Sequence, residues 1–234
     1  MRNLMRICQR KEKTAGLDMP IKDASFVVLD TELTGLDLRK DSIVSVGAVR
    51  MRRMSIDVGS SYYGVASPDS ELTKESVVIH GITPSDVAGK PRAAKVLDEF
   101  LKFCGDDVIV GHCIGIDIEF INKEMKKAFG YTLANKIVDT FGIHEWLKAR
   151  SSYGKSRAAG GSGLGLYDMA KQYGIQTRGL HNALMDAYIT AQVFQRFIPI
   201  LAEEGVKELG DLLRIGDTLK GGDRFGPSAG IWRF

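Results

Sequence analysis

The chain has 234 residues, 44% of them hydrophobic and 26% charged, with a formal net charge of +3. That is enough chain for one α/β domain with a full core, and its balance is ordinary for a globular protein rather than a disordered one or a dedicated, strongly basic nucleic-acid binder. Three widely spaced cysteines, Cys8, Cys104 and Cys113, form no CxxC pair. They argue against a disulfide framework or a thiolate zinc site and suit a reducing, cytoplasmic setting. No apolar run reaches the length of a membrane span.

Residues 1–22 open with Arg2, Arg6, Arg10, Lys11 and Lys13 but no apolar stretch, and read as a basic arm. Ser25–Leu29 (SFVVL) is a β-branched apolar run that reads as a buried central strand, ending at Asp30. Thr34-Gly35-Leu36-Asp37 is a turn. Ser42–Met51 and Ser55–Ala66 read as two further strands in an antiparallel meander. Helical periodicity follows over Pro91–Phe103, with Pro91 suited to a first turn. Val108–Val110 is a fourth strand and Ile116–Phe129 a helix. Ile137–Asp139 is a fifth strand, running into a helix through Trp146.

Lys148–Gly165 is rich in glycine and carries Lys148, Arg150, Lys155 and Arg157. It reads as a basic loop able to guide phosphates, or simply as a solvated one. Leu166–Tyr173 is a short helix stopped by Gly174, and Asn182–Ala202 a long one. The expected domain therefore covers 23–204, with a glycine-rich tail over 205–234.

Four carboxylates stand out. Alternate residues of a strand share a face, so Asp30 and Glu32 in Asp30-Thr31-Glu32 point the same way at a strand exit, where an α/β sheet opens a crevice. Asp117 begins a helix, where its ordinary role is an N-cap. Asp186 lies one turn into the long helix, and His181 stands five residues before it. Gathered carboxylates repel one another and call for hard divalent cations, two of which can run in-line phosphoryl chemistry. The histidine is then the group able to take a proton near neutral pH. Taken singly, each residue also fits a turn, a cap or a solvated helix charge.

Taken in order, DTELTGLD, VGHCIGIDIEFINKEM and HNALMDAYITAQVF resemble the three motifs of the DEDDh (DnaQ-like) exonucleases, of the proofreading type found in DNA polymerase III epsilon subunits. Asp30, Glu32, Thr34 and Gly35 match DxExTG. Asp117 and Phe120 match the second motif, and His181 and Asp186 match H-x4-D. His80-Gly81-Ile82 and Val138-Asp139-Thr140 resemble the family's HG(I/L) and (I/V)DT segments. The departures are Leu33, where many relatives have threonine, and Cys113, where many have asparagine.

The resemblance implies an RNase H-like fold, a five-stranded mixed sheet flanked by helices. It implies a 3′→5′ exonuclease acting on DNA or RNA with two Mg²⁺ or Mn²⁺ ions. Asp30, Glu32, Asp117 and Asp186 would hold the ions, and His181 would serve as general base. It also implies that Thr31, Leu33, Thr34, His80 and Phe120 meet the terminal nucleotides. The expected partners are a single-stranded or 3′-frayed nucleic acid and a DNA polymerase or other repair protein, and no membrane. Both a monomer and a homodimer fit. The competing readings are a non-catalytic nucleic-acid-binding module on the same fold, an RNA-trimming exoribonuclease and a metal-dependent phosphatase of another α/β fold.

Overall fold

The computed structural model describes residues 16–150, 165–177 and 181–217. Its centre is a mixed sheet of β1 (Ser25–Leu33), β2 (Ile43–Arg52), β3 (Ser55–Val65), β4 (Val108–Gly111) and β5 (Ile137–Asp139), in the order β3-β2-β1-β4-β5. β1 runs antiparallel to β2 and parallel to β4, and β4 runs parallel to β5. The meander of the first three strands and the fifth strand stand as the sequence predicts. This is the expected α/β, RNase H-like sheet.

The connections carry α1 (Lys74–His80), α2 (Pro84–Val87), α3 (Ala93–Cys104), α4 (Gly115–Phe129) and α5 (Thr140–Lys148). They are followed by α6 (Leu166–Gln172), α7 (Ala183–Glu203) and α8 (Leu209–Ile215). Helices α1 and α2 add to the elements that periodicity predicts. Each begins at a threonine: Thr73 accepts from the Ser76 N–H at 3.0 Å, and the Thr83 N–H donates to the Asp86 carboxylate at 2.8 Å.

The apolar residues of β1 divide by period two between two core layers. Phe26 and Val28 face α5, α6, α7 and α8, and the Phe26 ring meets Phe194 of α7 edge-on at 5.1 Å. Val27 and Leu29 face α3 and α4. β1 is thus covered on both sides, which is why it reads as an unbroken apolar run. Its carboxylates emerge only where the cover ends.

Packing extends past residues 23–204 on both sides. The Ile21 N–H donates to Lys207 O at 2.9 Å, and the Leu209 N–H donates to Met19 O at 2.8 Å. Leu209 and Leu212 of α8 are buried, so the first part of the tail closes the core. The rest of the arm and tail lies outside the described residues, as do Lys155 and Arg157. Among the described residues no helix is long and apolar enough to cross a membrane.

Candidate active site

Four elements deliver the site. On β1, Asp30 and Glu32 continue the face of Phe26 and Val28, the side covered by α7. From the start of α7 comes Asp186, one turn beyond the cap at Asn182, whose side chain accepts from the Met185 N–H at 3.2 Å. Carboxylate oxygens of Asp30, Glu32 and Asp186 all lie within 4.8 Å of one another.

Gly47 makes this approach possible. It pairs with Asp30 across β1 and β2, and a methyl group there would stand 2.2 Å from Ala183 C and Leu184 N. The backbone of α7 therefore rests directly on β2 opposite Asp30. An isolated glycine within a strand is the sequence signal for such an approach.

Asp117 arrives from the other layer, on α4. It is not the N-cap that its position suggests: the helix starts two residues earlier, and Ile114 occupies the cap. Instead the Thr31 hydroxyl donates to Asp117 Oδ1 at 2.5 Å. Thr31 alternates with Asp30 and Glu32, so it faces α4 and ties the fourth carboxylate to the strand carrying the first two. The preceding loop passes through Cys113, whose φ of 51° is left-handed. The Cys113 N–H donates to Asp139 Oδ1 at 2.9 Å, which holds the loop through its backbone.

The electrostatics are those of crowded anions. Burial, then the charges of Asp117, Glu32 and Asp186, hold Asp30 well above the usual carboxylate range. Burial, then Asp186 and Asp117, push Glu32 up to about 8. Asp117 is pushed up to about 7, mainly by burial and against the opposing Thr31 hydrogen bond. Asp186 is raised by burial, partly offset by the Tyr167 hydroxyl and by His181. Its Oδ1 is buried and has no hydrogen-bond partner among the described residues. An enclosed carboxylate oxygen without a donor, beside two other crowded carboxylates, fits a hard divalent cation as the missing partner.

His181 precedes the α7 cap with φ 59°, left-handed backbone that histidine adopts more readily than most residues. The Tyr167 ring meets its imidazole edge-on, with centroids 5.1 Å apart. Tyr167, on α6, donates to Asp186 Oδ2 at 2.8 Å and accepts from the His181 N–H at 2.8 Å. Burial, then the Asp186 charge, hold its phenol far above the ordinary value, so it remains a donor. No local pattern around Tyr167 marks it in the sequence. Its role arises only where α6 meets the start of α7.

The expected nucleotide contacts divide. Thr34 is 1% exposed, and its hydroxyl is engaged by Asp41, Ser70 and the Ser42 N–H. Phe120 is 1% exposed and packs with Ile118 and Ile121 in the α4 layer. Thr34 braces the turn after β1, and Phe120 fills the core. The Thr31 hydroxyl is likewise taken up by Asp117.

Leu33 is half-buried at a register shift that ends β1. His80 closes α1, and its Nδ1 accepts from the Ile82 N–H at 3.0 Å. The neutral ring must therefore carry its proton on Nε2, and that atom is buried without a partner among the described residues. Burial, then the nearby charge of His181, hold this imidazole below the usual histidine range. Of the basic loop residues, Lys148 pairs with Glu145 at 3.6 Å and the Arg150 guanidinium lies 4.2 Å over the Trp146 ring.

The chain is 33% identical over 202 residues to a PolC-type DNA polymerase III of Thermotoga maritima, covering 86% of this chain and 14% of the relative. It is also 33% identical over 200 residues to the DNA polymerase III subunit epsilon of Aquifex aeolicus, covering 85% and 92%. The chain thus spans only about a seventh of the PolC-type relatives but nearly the whole epsilon subunit. Among solved structures, E. coli exonuclease I in complex with a dT13 oligonucleotide superposes with a TM-score of 0.68 at 20% identity, over 78% of this chain and 43% of that one. The sequence profile of the exonuclease family (RNase_T) matches residues 27–194, a span that holds all four carboxylates and His181, and the chain belongs to that family.

Proposed function

We propose that this chain is a 3′→5′ exonuclease that releases nucleoside 5′-monophosphates from the 3′ end of a DNA strand. Two Mg²⁺ or Mn²⁺ ions would be held by Asp30, Glu32, Asp117 and Asp186, with His181 as general base. The convergence of Asp30, Glu32 and Asp186 within 4.8 Å, with one Asp186 oxygen buried and unpartnered among the described residues, carries this reading. When bound, the cations lower the pKa of the attacking water and offset the charge that develops on the phosphate and leaving oxygen.

The remaining work falls to the chain itself. β1 sits between two helical layers and fixes Asp30 and Glu32 on rigid backbone, as in-line geometry demands. Thr31 and Gly47 bring Asp117 and Asp186 to that strand from opposite sides. His181, on the turn before α7, takes the proton from the attacking water. Leu33, half-buried at the end of β1, supplies apolar contact, and the His80 ring is held with its Nδ1 fixed by the Ile82 N–H.

The names of the polymerase III relatives support DNA as substrate and a DNA polymerase as partner. Digestion of matched DNA and RNA oligonucleotides, single-stranded and with a mismatched 3′ end, tests this in Mg²⁺ and in Mn²⁺. The expected product is nucleoside monophosphate, released faster from DNA. Preferential digestion of RNA would make the chain an exoribonuclease instead.

A further inference from the structure

The hydroxyl of Tyr167 sits at the junction of two functional groups. It donates to Asp186 Oδ2 and accepts from the His181 N–H, each at 2.8 Å, while its ring abuts the His181 imidazole at 86°. Two consequences follow from one atom. The first concerns Asp186: Oδ2 is occupied by the phenol, whereas Oδ1 is buried and unpartnered among the described residues. The hydrogen bond restrains the carboxylate from turning, beside the cluster it forms with Asp30 and Glu32. The second concerns His181. Its left-handed backbone, φ 59°, is unfavourable for a residue with a side chain and needs outside support. The hydrogen bond from its N–H to Tyr167 supplies that support next to the Asn182 cap.

We propose that Tyr167 is a positioning residue that holds the orientation of the Asp186 carboxylate and, through the His181 N–H, fixes the turn carrying the imidazole. The inference rests on the reading of this site as a divalent-cation centre. A phenylalanine at 167 keeps the ring and its packing and removes only the hydroxyl. Hydrogen-bond partners of metal ligands, when removed, typically weaken affinity or activity by 10–100-fold.

The test is calorimetric titration of Mn²⁺ into wild type and Tyr167→Phe, with turnover on a 5′-labelled DNA strand at saturating Mn²⁺ and melting of the metal-free proteins alongside. Tyr167→Phe is expected to weaken Mn²⁺ binding by about 10–100-fold. It should also lower kcat at saturating Mn²⁺ while leaving the metal-free melting temperature within a few degrees. Equal Mn²⁺ affinities in the two proteins would overturn the role of Tyr167 and leave the metal site standing. No Mn²⁺ binding by wild type would overturn the metal site itself. Hydrogen exchange of wild type gives a reading independent of the variant: the His181 amide should be protected, and exchange at the rate of an open amide would overturn the assignment.

Discussion

The crowded carboxylates make the metal-free protein sensitive to pH in a direction opposite to that of most acidic sites. Asp30, Glu32, Asp117 and Asp186 all hold their protons above the ordinary range in the folded state. A raised carboxyl binds a proton in the native chain at pH values where the unfolded chain has lost it, so stability falls as pH rises between the two values. For Glu32 that window runs from the ordinary 4.5 to about 8, and for Asp117 from 3.8 to about 7.

Two buried histidines act the other way at lower pH. His80 and His144 are held below the ordinary 6.5, so the stability they contribute is present above that value and is lost only as pH falls. Between pH 6.5 and 8 the carboxylates therefore dominate. Over that interval, at about 1.4 kcal/mol per pH unit for each retained proton, Glu32 and Asp117 together remove roughly 2 kcal/mol. Because the cluster titrates as a unit, this figure belongs to the cluster and not to either residue.

For a domain of this size roughly 2 kcal/mol lowers the melting temperature by about 4–8 °C. Saturating Mg²⁺ or Mn²⁺ takes the place of the protons, so the stabilisation by metal should grow from pH 6.5 to pH 8. Scanning calorimetry in EDTA and in excess metal across this range measures both quantities. A melting temperature in EDTA that is flat or rises over the interval, or a metal-induced shift independent of pH, would refute the crowding argument.

Other perturbations address the supporting elements. Gly47→Ala places a methyl group against the backbone of α7. It should cost about 1–3 kcal/mol by overpacking and weaken Mn²⁺ binding, as read by calorimetry; an unchanged melting temperature would contradict the contact. His181→Asn keeps a residue that tolerates φ near 59°. It should lower kcat by about 10²–10⁴-fold with little change in melting, and near-normal turnover at saturating metal would remove His181 as the base. Cys113→Asn relieves a left-handed cysteine while keeping the N–H that Asp139 accepts from. Thermal melting should show a gain of about 0.5–1 kcal/mol, and a loss of stability would mean that the thiol packs better than its backbone suggests.

Much of the site is legible in the amino-acid sequence. The alternation of Asp30 and Glu32 at the end of an apolar strand locates it, because a strand's period of two leaves no freedom about which side chains share a face. The five-residue separation of His181 from Asp186 keeps the histidine off the helix body, where the fold places it. The nucleotide contacts are harder to read, since Phe120 and Thr34 sit within motifs that are both functional and structural. The burial of Phe120 depends on which face of α4 meets β1, and that of Thr34 on how the turn after β1 folds back on Asp41 and Ser42. The repeated glycines from Gly205 fit a docking tail, a capping segment or disorder alike, and the burial of Leu209 and Leu212 makes its first part a segment that closes the core. Tyr167 lies beyond the reach of sequence patterns: a tyrosine on a short helix has no local mark, and its partners come from another helix and the turn before it.

The most direct test of the account is digestion of a 5′-labelled single-stranded DNA by the wild type and by Asp30→Asn, with and without divalent metal. Wild type should give a ladder shortening from the 3′ end in Mg²⁺ or Mn²⁺ and no digestion in EDTA, and Asp30→Asn should lose nearly all activity. Digestion that survives EDTA, proceeds from the labelled end or persists in Asp30→Asn would contradict the account.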